Sequence, residues 1–364
     1  MQQAMLYEEL PKSAVHCYAC QWHCRILPGK VGYCKVRKNE GGTLYTLIAG
    51  EVSSAAVDPI EKKPLFHFYP GTQVFSLGTW GCNWRCSHCQ NWSIAYAEHD
   101  GHAPLVDGFR QSGGYRMSPL ESVELARRHR CSGIAWTYNE PSIWFEHTYE
   151  SAKVAKASGL YTVYVTNGFM TAEALDTIGP YLDAYRVDIK GFSDGFYRTL
   201  CGLPPTRDWR GILEVAERAK KKWGMHVEAV TNVIPTLNDS DDDLRALAGW
   251  IAQALGPDTP WHVTRFYPHS RLSHLPPTPV ATLQNARRIG MEADLRYVYL
   301  GNVPGVEGEN TVCPVCGKTV IERTGYNIRI VGVAPGGKCK HCGADQNLRG
   351  FDTTEEVRAS ARNC

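Results

Sequence analysis

Short apolar runs alternate with amphipathic stretches between about residues 71 and 305, and this alternation predicts repeated strand–helix units. Local signals mark where helices begin: Ser118, Pro119 and Glu121 form a capping signature, and Ser240 precedes an acidic first turn. Because strands alternate with helices, the sheet is predicted to be parallel. The predicted strands are residues 74–77, 133–136, 161–165, 184–189, 227–234, 261–266 and 297–300.

The number of strand–helix units predicts the class of fold. Six or more units favour a closed or partly closed barrel, and we predict an α/β fold with a partial (β/α)6 TIM-like barrel over residues 71–305. A doubly wound open sheet is the alternative. In a barrel, the working groups lie at the C-terminal ends of the strands. Residues 1–70 and 306–364 lack the alternation, so each is predicted to form a small module, the second ending in a short helix from residue 353.

Charge and hydropathy narrow the classes of partner. Lys and Arg number 39 against 37 Asp and Glu, so electrostatics give no reason to expect nucleic acid or an anionic membrane. No apolar run approaches the ~18–20 residues that a membrane helix needs. The N-terminal residues lack the apolar core of a signal peptide. We therefore expect a cytoplasmic protein without membrane contact.

Cysteine is the residue type that changes this picture, because the chain holds 14 of them. Without a signal peptide, metal binding is favoured over disulfides. Cys131, Cys201 and Cys364 stand alone and are expected to be inert. The others fall into three groups: Cys17, Cys20, Cys24 and Cys34; Cys82, Cys86 and Cys89; and Cys313, Cys316, Cys339 and Cys342.

The central group is an incomplete set of ligands. Cys82, Cys86 and Cys89 follow the first predicted strand in a loop that contains glycine. Structural zinc sites and ordinary [4Fe–4S] clusters both take four protein ligands. Three close thiolates without an obvious fourth therefore indicate a [4Fe–4S] cluster with one iron open to another ligand. A zinc site that borrows a distant His or Cys is the alternative.

This C-x3-C-x2-C loop, placed after the first strand of a βα domain, resembles the radical S-adenosylmethionine (SAM) superfamily. The resemblance implies that the amino and carboxylate groups of SAM bind the open iron. It also implies that the reduced cluster cleaves SAM to methionine and a 5′-deoxyadenosyl radical, which abstracts hydrogen from a substrate.

Polar residues at later strand ends extend the resemblance. Glu140 matches the acid of a Gly-Gly-Glu segment that touches the SAM amino group, although the glycines are absent here. Asn167, Asp188 and Lys190 lie in segments that resemble glycyl-radical activating enzymes. The resemblance implies that Asp188 contacts the ribose or amino group and Lys190 the methionine carboxylate. His88, inside the cysteine loop, is expected beside the cluster or the adenine. Solvated polar groups at the barrel rim are the alternative.

The flanking groups are complete quartets. The C-terminal pair of C-x2-C motifs is predicted to bind zinc, with Gly317 and Gly343 suited to tight turns, and a rubredoxin-type iron or a cluster is the alternative. The N-terminal quartet fits either zinc or a second [4Fe–4S] cluster, and spacing does not separate them. His16 and His23 lie near enough in sequence to replace a thiolate.

Taken together, the motifs resemble a narrower family, the radical SAM enzymes of the AmmeMemoRadiSam system, which are relatives of pyruvate formate-lyase activating enzymes. That resemblance implies one SAM-binding cluster and co-occurring Memo-like and AMME-like proteins, and we expect a low-potential electron donor of flavodoxin or ferredoxin type. The matching stretches, between residue 17 and about 345, are CYACQWHCRILPGKVGYCKVR, DPIEKKPLFHFYPG, GTWGCNWRCSHCQN, TYNEP, VTNGF, VDIKGF, IPTLND, TRFYP, YVYLGN and CPVCGK.

The predicted function is a radical SAM oxidoreductase acting on an unidentified substrate. A glycyl-radical enzyme activase is the alternative within the same chemistry. The alternative from another functional class is a binding module, stabilised by bound metal, that recognises RNA or protein without SAM chemistry.

Overall fold

A computed structural model describes residues 1–96 and 114–351 of the chain. The helix predicted from residue 353 and the lone Cys364 lie outside this range. Among the described residues, none of the helices has both the length and the apolar character that crossing a membrane requires.

The N-terminal residues form two small antiparallel sheets, ordered β2-β3-β4 and β1-β6-β5. Their common core is small, with Val15, Ile26 and Leu44 as its largest aliphatic members. A core of this size gives little stability without a metal or other cross-link. The strands are β1 Gln2–Gln3, β2 Tyr7–Leu10, β3 Ala14–Cys17, β4 Cys24–Ile26, β5 Arg37–Glu40, β6 Thr43–Thr46 and β7 Glu51–Val52.

The central part is one sheet of eight strands. The first strand runs antiparallel to its neighbour and the remaining strands are parallel. The strands are β8 Ser54–Pro59, β9 Gln73–Gly78, β11 Gly133–Trp136, β12 Tyr161–Thr166, β13 Ala184–Asp188, β14 His226–Val233, β15 Trp261–Arg265 and β16 Val298–Gly301, while β10 Tyr115–Arg116 pairs separately with β7.

The helices connect these strands. The capping signature at Ser118 is confirmed: its Oγ accepts from the Glu121 amide at 3.2 Å, and Glu121 accepts from the Ser118 amide at 2.7 Å. The helices are α1 Trp92–Ala95, α2 Pro119–Arg128, α3 Phe145–Ala157, α4 Ala172–Ile178, α5 Asp194–Cys201, α6 Gly211–Lys221, α7 Asp241–Trp250 and α8 Val280–Glu292.

Strand order decides between the two predicted architectures. From β9 to β16, each parallel strand pairs with the next parallel strand along the chain. Right-handed connections that step in one direction place every helix on one face of the sheet. A doubly wound sheet needs a reversal of strand order, so that alternative is wrong. The sheet is a partly closed barrel with β8 and β16 at its edges. Its parallel strands correspond to the seven strands that the sequence predicts, and the antiparallel β8 was not predicted.

Alternate residues of the strands face opposite sides. Trp136, Tyr164 and Tyr185 belong to the large core that includes the helices. Ala135, Val163 and Ala184, each one position removed, pack instead against Leu65 and Phe68. Residues 65–69, which we call the inner segment, therefore fill part of the concave face of the sheet. The barrel thus uses residues that precede position 71.

A buried carboxylate anchors the inner segment. Glu228 of β14 accepts from the backbone amides of Phe66 and His67 at 3.1 and 2.8 Å. The Nε2 atoms of His226 and His262 lie 2.8 and 2.6 Å from its two oxygens. Burial by itself raises the pKa of the Glu228 carboxyl, but the hydrogen bonds from the two histidines outweigh it and hold the pKa well below its usual range. The Glu228 carboxylate is therefore ionised, and the dipoles of the two backbone amides and two imidazoles around it stabilise its charge.

The C-terminal module packs against the same inner segment. Arg323 donates from Nη2 to the Phe66 carbonyl at 2.8 Å, and His67 Nδ1 lies 2.9 Å from the Gln346 carbonyl. The module has its own core, which includes Ile321, Ile328 and Phe351. Its strands are β17 Thr311–Val312, β18 Thr319–Thr324, β19 Asn327–Ile330, β20 Val333–Ala334 and β21 Lys338–Cys339.

We predict that Glu228→Ala lowers the free energy of unfolding by about 3 kcal/mol, because it leaves two buried amides and two imidazoles without their acceptor. Urea denaturation under anaerobic conditions measures this change. The control is Glu322→Ala, since that carboxylate pairs with Arg329 on the surface and its loss should cost less than about 0.5 kcal/mol. Equal effects of the two substitutions would show that the buried network is not a stabilising feature.

Candidate active site

The predicted site residues meet at one place. Cys82, Cys86 and Cys89 lie in the loop after β9, at the carboxyl end of the parallel sheet. A cleft of about 440 Å³ opens beside this loop. Its walls include every residue predicted to hold the cluster or SAM: Cys82, Cys86, Cys89, His88, Glu140, Asn167, Asp188 and Lys190. The structure brings these groups together from four different strand ends, and their individual roles stay predictions.

The cysteine loop begins with a turn that only glycine fits. Gly81 has φ +87°, in the left-handed region. A Cβ added there would lie 2.8 Å from Val36 Cγ1 and 3.1 Å from the Cys34 carbonyl oxygen. The loop is therefore pressed against the N-terminal module at the residue before its first cysteine.

Side chains fix the loop from several directions. Asn139, after β11, donates to the Gly81 carbonyl at 2.7 Å and accepts from the Thr79 amide at 3.2 Å. Arg85 Nη1 donates to the Cys82 carbonyl at 2.9 Å. Trp84 is buried, with its ring 4.6 Å from that of Phe169, and it also borders the cleft. The thiols are thus held on a rigid support.

The three thiols are suited to a metal centre and ill suited to remaining free. Burial raises the pKa of Cys82 and brings that of Cys89 to about 11, while contact with Cys201 and burial raise the pKa of Cys86. A thiolate in this setting needs a compensating cation, which iron supplies. Among the described residues, only the C-terminal cysteines draw within 4.8 Å of one another, so these three are spaced too widely for a single ion. The donor set fits an iron–sulfur cluster.

Cys201, which was expected to stand apart, lies against Cys86. It is fully buried on α5 and does not line the cleft. Its thiol is therefore behind the cluster site rather than facing it. Cys131 is buried elsewhere, as its position before an apolar strand predicts.

Glu140 is engaged by protein donors on both oxygens. Oε1 accepts from the Ser142 amide at 3.0 Å and Oε2 from the Asn167 amide at 2.8 Å. The Thr166 hydroxyl lies 2.9 Å from each oxygen. Burial raises the pKa of this carboxyl. These bonds fix the end of β12, so Glu140 positions Asn167, and direct contact with SAM stays a prediction.

Asn167 is the strand-end residue that reaches the cysteine loop. Its Nδ2 donates to Asn83 Oδ1 at 2.7 Å and lies 3.8 Å from Cys82 Sγ. Its Oδ1 accepts from the Phe169 amide at 2.9 Å, which sets the amide orientation. An N–H directed at a cysteine sulfur stabilises the thiolate form of that ligand.

Asp188 lies between two cations at the end of β13. Its carboxylate accepts from Lys190 Nζ at 3.0 Å and also from Arg186. Arg186 was not predicted, although it shares the inner face with Ala184 and Asp188 by strand alternation. The pair of cations makes this wall of the cleft suitable for a carboxylate.

His88 is a buried residue of the cysteine loop. Burial lowers its pKa to about 3, and the neighbouring Lys190 acts in the same direction. Its ring lies 6.0 Å from that of Phe196. Within the described residues its Nδ1 has no hydrogen-bond partner, so this nitrogen is available to a bound molecule.

Several cleft residues were missed by sequence reasoning. Lys63 Nζ and the Tyr138 hydroxyl both donate to Oδ2 of Asp58, at 2.7 and 2.8 Å. Their signal in the sequence is weak, because charged residues before a strand usually face solvent. The other unpredicted residues along the cleft include Lys62, Asn232, Thr264, Asn302 and Tyr326.

The C-terminal quartet has the spacing of a single tetrahedral ion. Cys313 Sγ lies 3.6 Å from Cys342 Sγ, and Cys316 Sγ lies 3.7 Å from Cys339 Sγ. Four Zn–S bonds of about 2.3 Å set the sulfurs about 3.8 Å apart. Burial opposes ionisation of Cys313, but backbone amides of Cys316 and Val315 lower its pKa to about 6. The predicted turns after each pair are present, at Gly317 and Gly343 with φ +69° and +77°.

We predict that Gly81→Ala lowers the free energy of unfolding by about 2–4 kcal/mol and reduces the iron bound per chain, because strain at positive φ adds to a clash with Val36 and Cys34. Gly159→Ala is the matched control. Gly159 has φ +74° but no atom within 4 Å of an added Cβ, so its substitution should cost only about 1 kcal/mol and leave iron content unchanged. Denaturation and iron analysis measure both, and equal costs would contradict the packing argument.

Comparison with known proteins relates this chain to one superfamily. The radical SAM superfamily profile matches residues 78–251, which include the cysteine loop and the strand ends. An uncharacterized protein of Methanocaldococcus jannaschii is 44% identical over 346 residues, which cover 94% of this chain and 98% of that protein. The pyruvate formate-lyase-activating enzyme of Clostridium pasteurianum is 25% identical over 178 residues, 47% of this chain and 66% of that enzyme.

Among solved structures, a radical SAM methyltransferase from Sphaerobacter thermophilus aligns with 69% of this chain and 71% of its own, with a TM-score of 0.48 and 17% identity. Membership rests on the sequence matches. The chain belongs to the radical SAM superfamily and is related to pyruvate formate-lyase activating enzymes.

Proposed function

We propose that this protein is the radical SAM enzyme of an AmmeMemoRadiSam system, an oxidoreductase that uses SAM to abstract hydrogen from a small molecule or a single side chain. The observation that carries the proposal is the gathering of three cysteine thiols and four polar residues from the strand ends around one cleft. The superfamily implies a [4Fe–4S] cluster and SAM as cofactors.

The donor set supports the cluster at Cys82, Cys86 and Cys89. When bound, the reduced cluster and SAM supply a 5′-deoxyadenosyl radical. Lys190 would hold the methionine carboxylate, and Asp188 would keep the ammonium of Lys190 in place at 3.0 Å. Asn167 would direct an N–H toward the sulfur of Cys82, and the buried Trp84 would exclude water from the wall of the cleft beside the cluster.

The size of the cleft supports a small substrate. A volume of about 440 Å³ lies within the range of small-molecule pockets, and SAM itself would occupy much of it. Tyr326, an exposed residue of the C-terminal module, borders the cleft from outside the sheet. The substrate is therefore proposed to be a compact group rather than an extended surface.

A glycyl-radical activase is the second candidate, supported by the likeness to a pyruvate formate-lyase-activating enzyme. Its substrate would be a glycine on a partner protein. Electron paramagnetic resonance of a co-encoded partner after incubation with this enzyme separates the two candidates. A persistent glycyl radical would select the activase.

The proposal brings partners and a compartment with it. We propose Memo-like and AMME-like proteins as functional partners, a flavodoxin or ferredoxin as the electron donor, and the cytoplasm as the location. We also propose zinc at the C-terminal quartet, supported by its sulfur spacing of 3.6–3.7 Å. A binding module without SAM chemistry has no such support, and failure to bind SAM would favour it.

We predict that Cys86→Ala abolishes the formation of 5′-deoxyadenosine from SAM, because the cluster loses one of three ligands. The assay is anaerobic reconstitution with iron and sulfide, followed by dithionite and SAM. The variant should also hold about four fewer irons per chain than the wild type. Cys131→Ala removes a buried cysteine outside the metal groups and should change neither result. Undiminished cleavage by Cys86→Ala would refute the proposal.

We predict that Lys190→Gln weakens SAM binding at least tenfold without changing iron content, because it removes a charge-assisted contact to the methionine carboxylate. Equilibrium binding of SAM to the reconstituted protein measures the affinity. Lys153→Gln is the control, since Lys153 pairs with Glu150 on the surface of α3. Unchanged affinity in Lys190→Gln would assign the carboxylate to another residue.

A further inference from the structure

The N-terminal quartet occupies a site of its own, away from the cleft. Cys17, Cys20, Cys24 and Cys34 border a single cavity in the N-terminal module. Cys17 and Cys24 face each other across strands β3 and β4. Trp22, Ile26 and Ile143 supply apolar walls. The four thiols thus converge on one enclosed space.

The spacing of these thiols differs from that of the C-terminal quartet. Within residues 1–96 and 114–351, only the C-terminal cysteines have sulfurs that all lie within 4.8 Å of one another. A single zinc ion needs sulfurs about 3.8 Å apart. A four-iron cluster holds them further apart, because each thiolate binds a different iron. The N-terminal quartet therefore has the wider arrangement that it shares with Cys82, Cys86 and Cys89.

The histidines that could have completed a zinc site are committed elsewhere. His16 Nε2 lies 3.2 Å from His23 Nδ1, and His16 Nδ1 lies 2.8 Å from Glu8. Neither imidazole lines the cavity. The ligand set is consequently four thiolates without nitrogen.

Two buried donors without partners border the same cavity. Arg37 is 2% exposed, and its Nε has no hydrogen-bond partner among the described residues. The buried Ser142 hydroxyl is likewise unpartnered. Buried donors are almost always satisfied, so an acceptor belongs in this cavity. The sulfurs of an anionic cluster would provide it.

The cavity lies beside the cysteine loop that carries Cys82, Cys86 and Cys89. The Trp22 indole donates to the Asn83 carbonyl at 2.6 Å, directly after Cys82. The backbone amide of Gln21 donates to the Phe169 carbonyl at 3.0 Å. The segment that carries Cys20 therefore pairs with the segment that follows Asn167. Trp22, which lines the cavity, therefore contacts the cysteine loop directly.

From this arrangement we propose that Cys17, Cys20, Cys24 and Cys34 bind a second [4Fe–4S] cluster, closed by four thiolates and packed against the loop of the first. All four irons have protein ligands, so this cluster has no open position for SAM or substrate. Its fixed charge is met by Arg37, which also pairs with Glu146 of α3 at 2.8 Å and so joins the module to the barrel.

The test is metal and sulfide analysis of anaerobically purified full-length chain. Wild type should carry about eight irons, eight sulfides and one zinc. A Cys86→Ala/Cys89→Ala variant should retain about four irons and four sulfides, with the Mössbauer spectrum of a closed cluster. Cys316→Ala/Cys342→Ala should lose zinc and keep all the iron. Cys131→Ala serves as the control for loss of a buried thiol.

The Cys86→Ala/Cys89→Ala variant decides the question even if substitutions in the N-terminal quartet prevent folding. Retention of no iron, retention of iron without sulfide, or two zinc ions in the wild type would each overturn the second cluster. These outcomes are independent of the proposed function, because they do not depend on cleavage of SAM. A chain with eight irons that fails to cleave SAM would refute the function and leave the second cluster in place.

Discussion

The buried charge of Glu228 is the constraint on which the architecture depends. A carboxylate in the interior is tolerated only when several donors surround it, and here two of the four donors are backbone amides of the inner segment. Those amides are available only if residues 65–69 enter the concave face of the sheet. Once there, the segment gives Arg323 and the C-terminal module a surface to bind. One ionised group thereby joins strands, inner segment and C-terminal module into one structure.

The sequence predicted the sheet well because strand periodicity and capping are local properties. The 133–136 strand and the Ser118 helix start agree with the structure. The inner segment was not foreseen. An apolar run such as Leu65, Phe66 and Phe68 has no hydrophobic periodicity that distinguishes a segment packed against the inside of the sheet from a surface loop. The strand order that excludes a doubly wound sheet depends on pairing between distant residues, which composition and spacing do not encode.

The residues of the candidate site also fall into those that the sequence identified and those that it missed. Cys82, Cys86 and Cys89 were identifiable because their ligand spacing is short and contiguous. Arg186 and Lys63 were not, since a charged residue becomes part of a cleft only when other elements cover it. Spacing along the chain also left the N-terminal quartet undecided between zinc and a cluster. That choice depends on sulfur separations in space, and these follow from how β3, β4 and Gly81 pack.

The position of Tyr326 shows that the walls of the cleft come from different parts of the protein. This residue lies in the turn between β18 and β19, yet it borders the same cleft as the strand ends of the barrel. The deep groups come from the sheet and are locked together by ion pairs and strand register. The more exposed part of the wall is formed by this hairpin tip and by Lys62, which belong to other parts of the chain. Changes at these exposed residues can therefore alter which molecules enter the cleft while the polar groups at the strand ends stay in place.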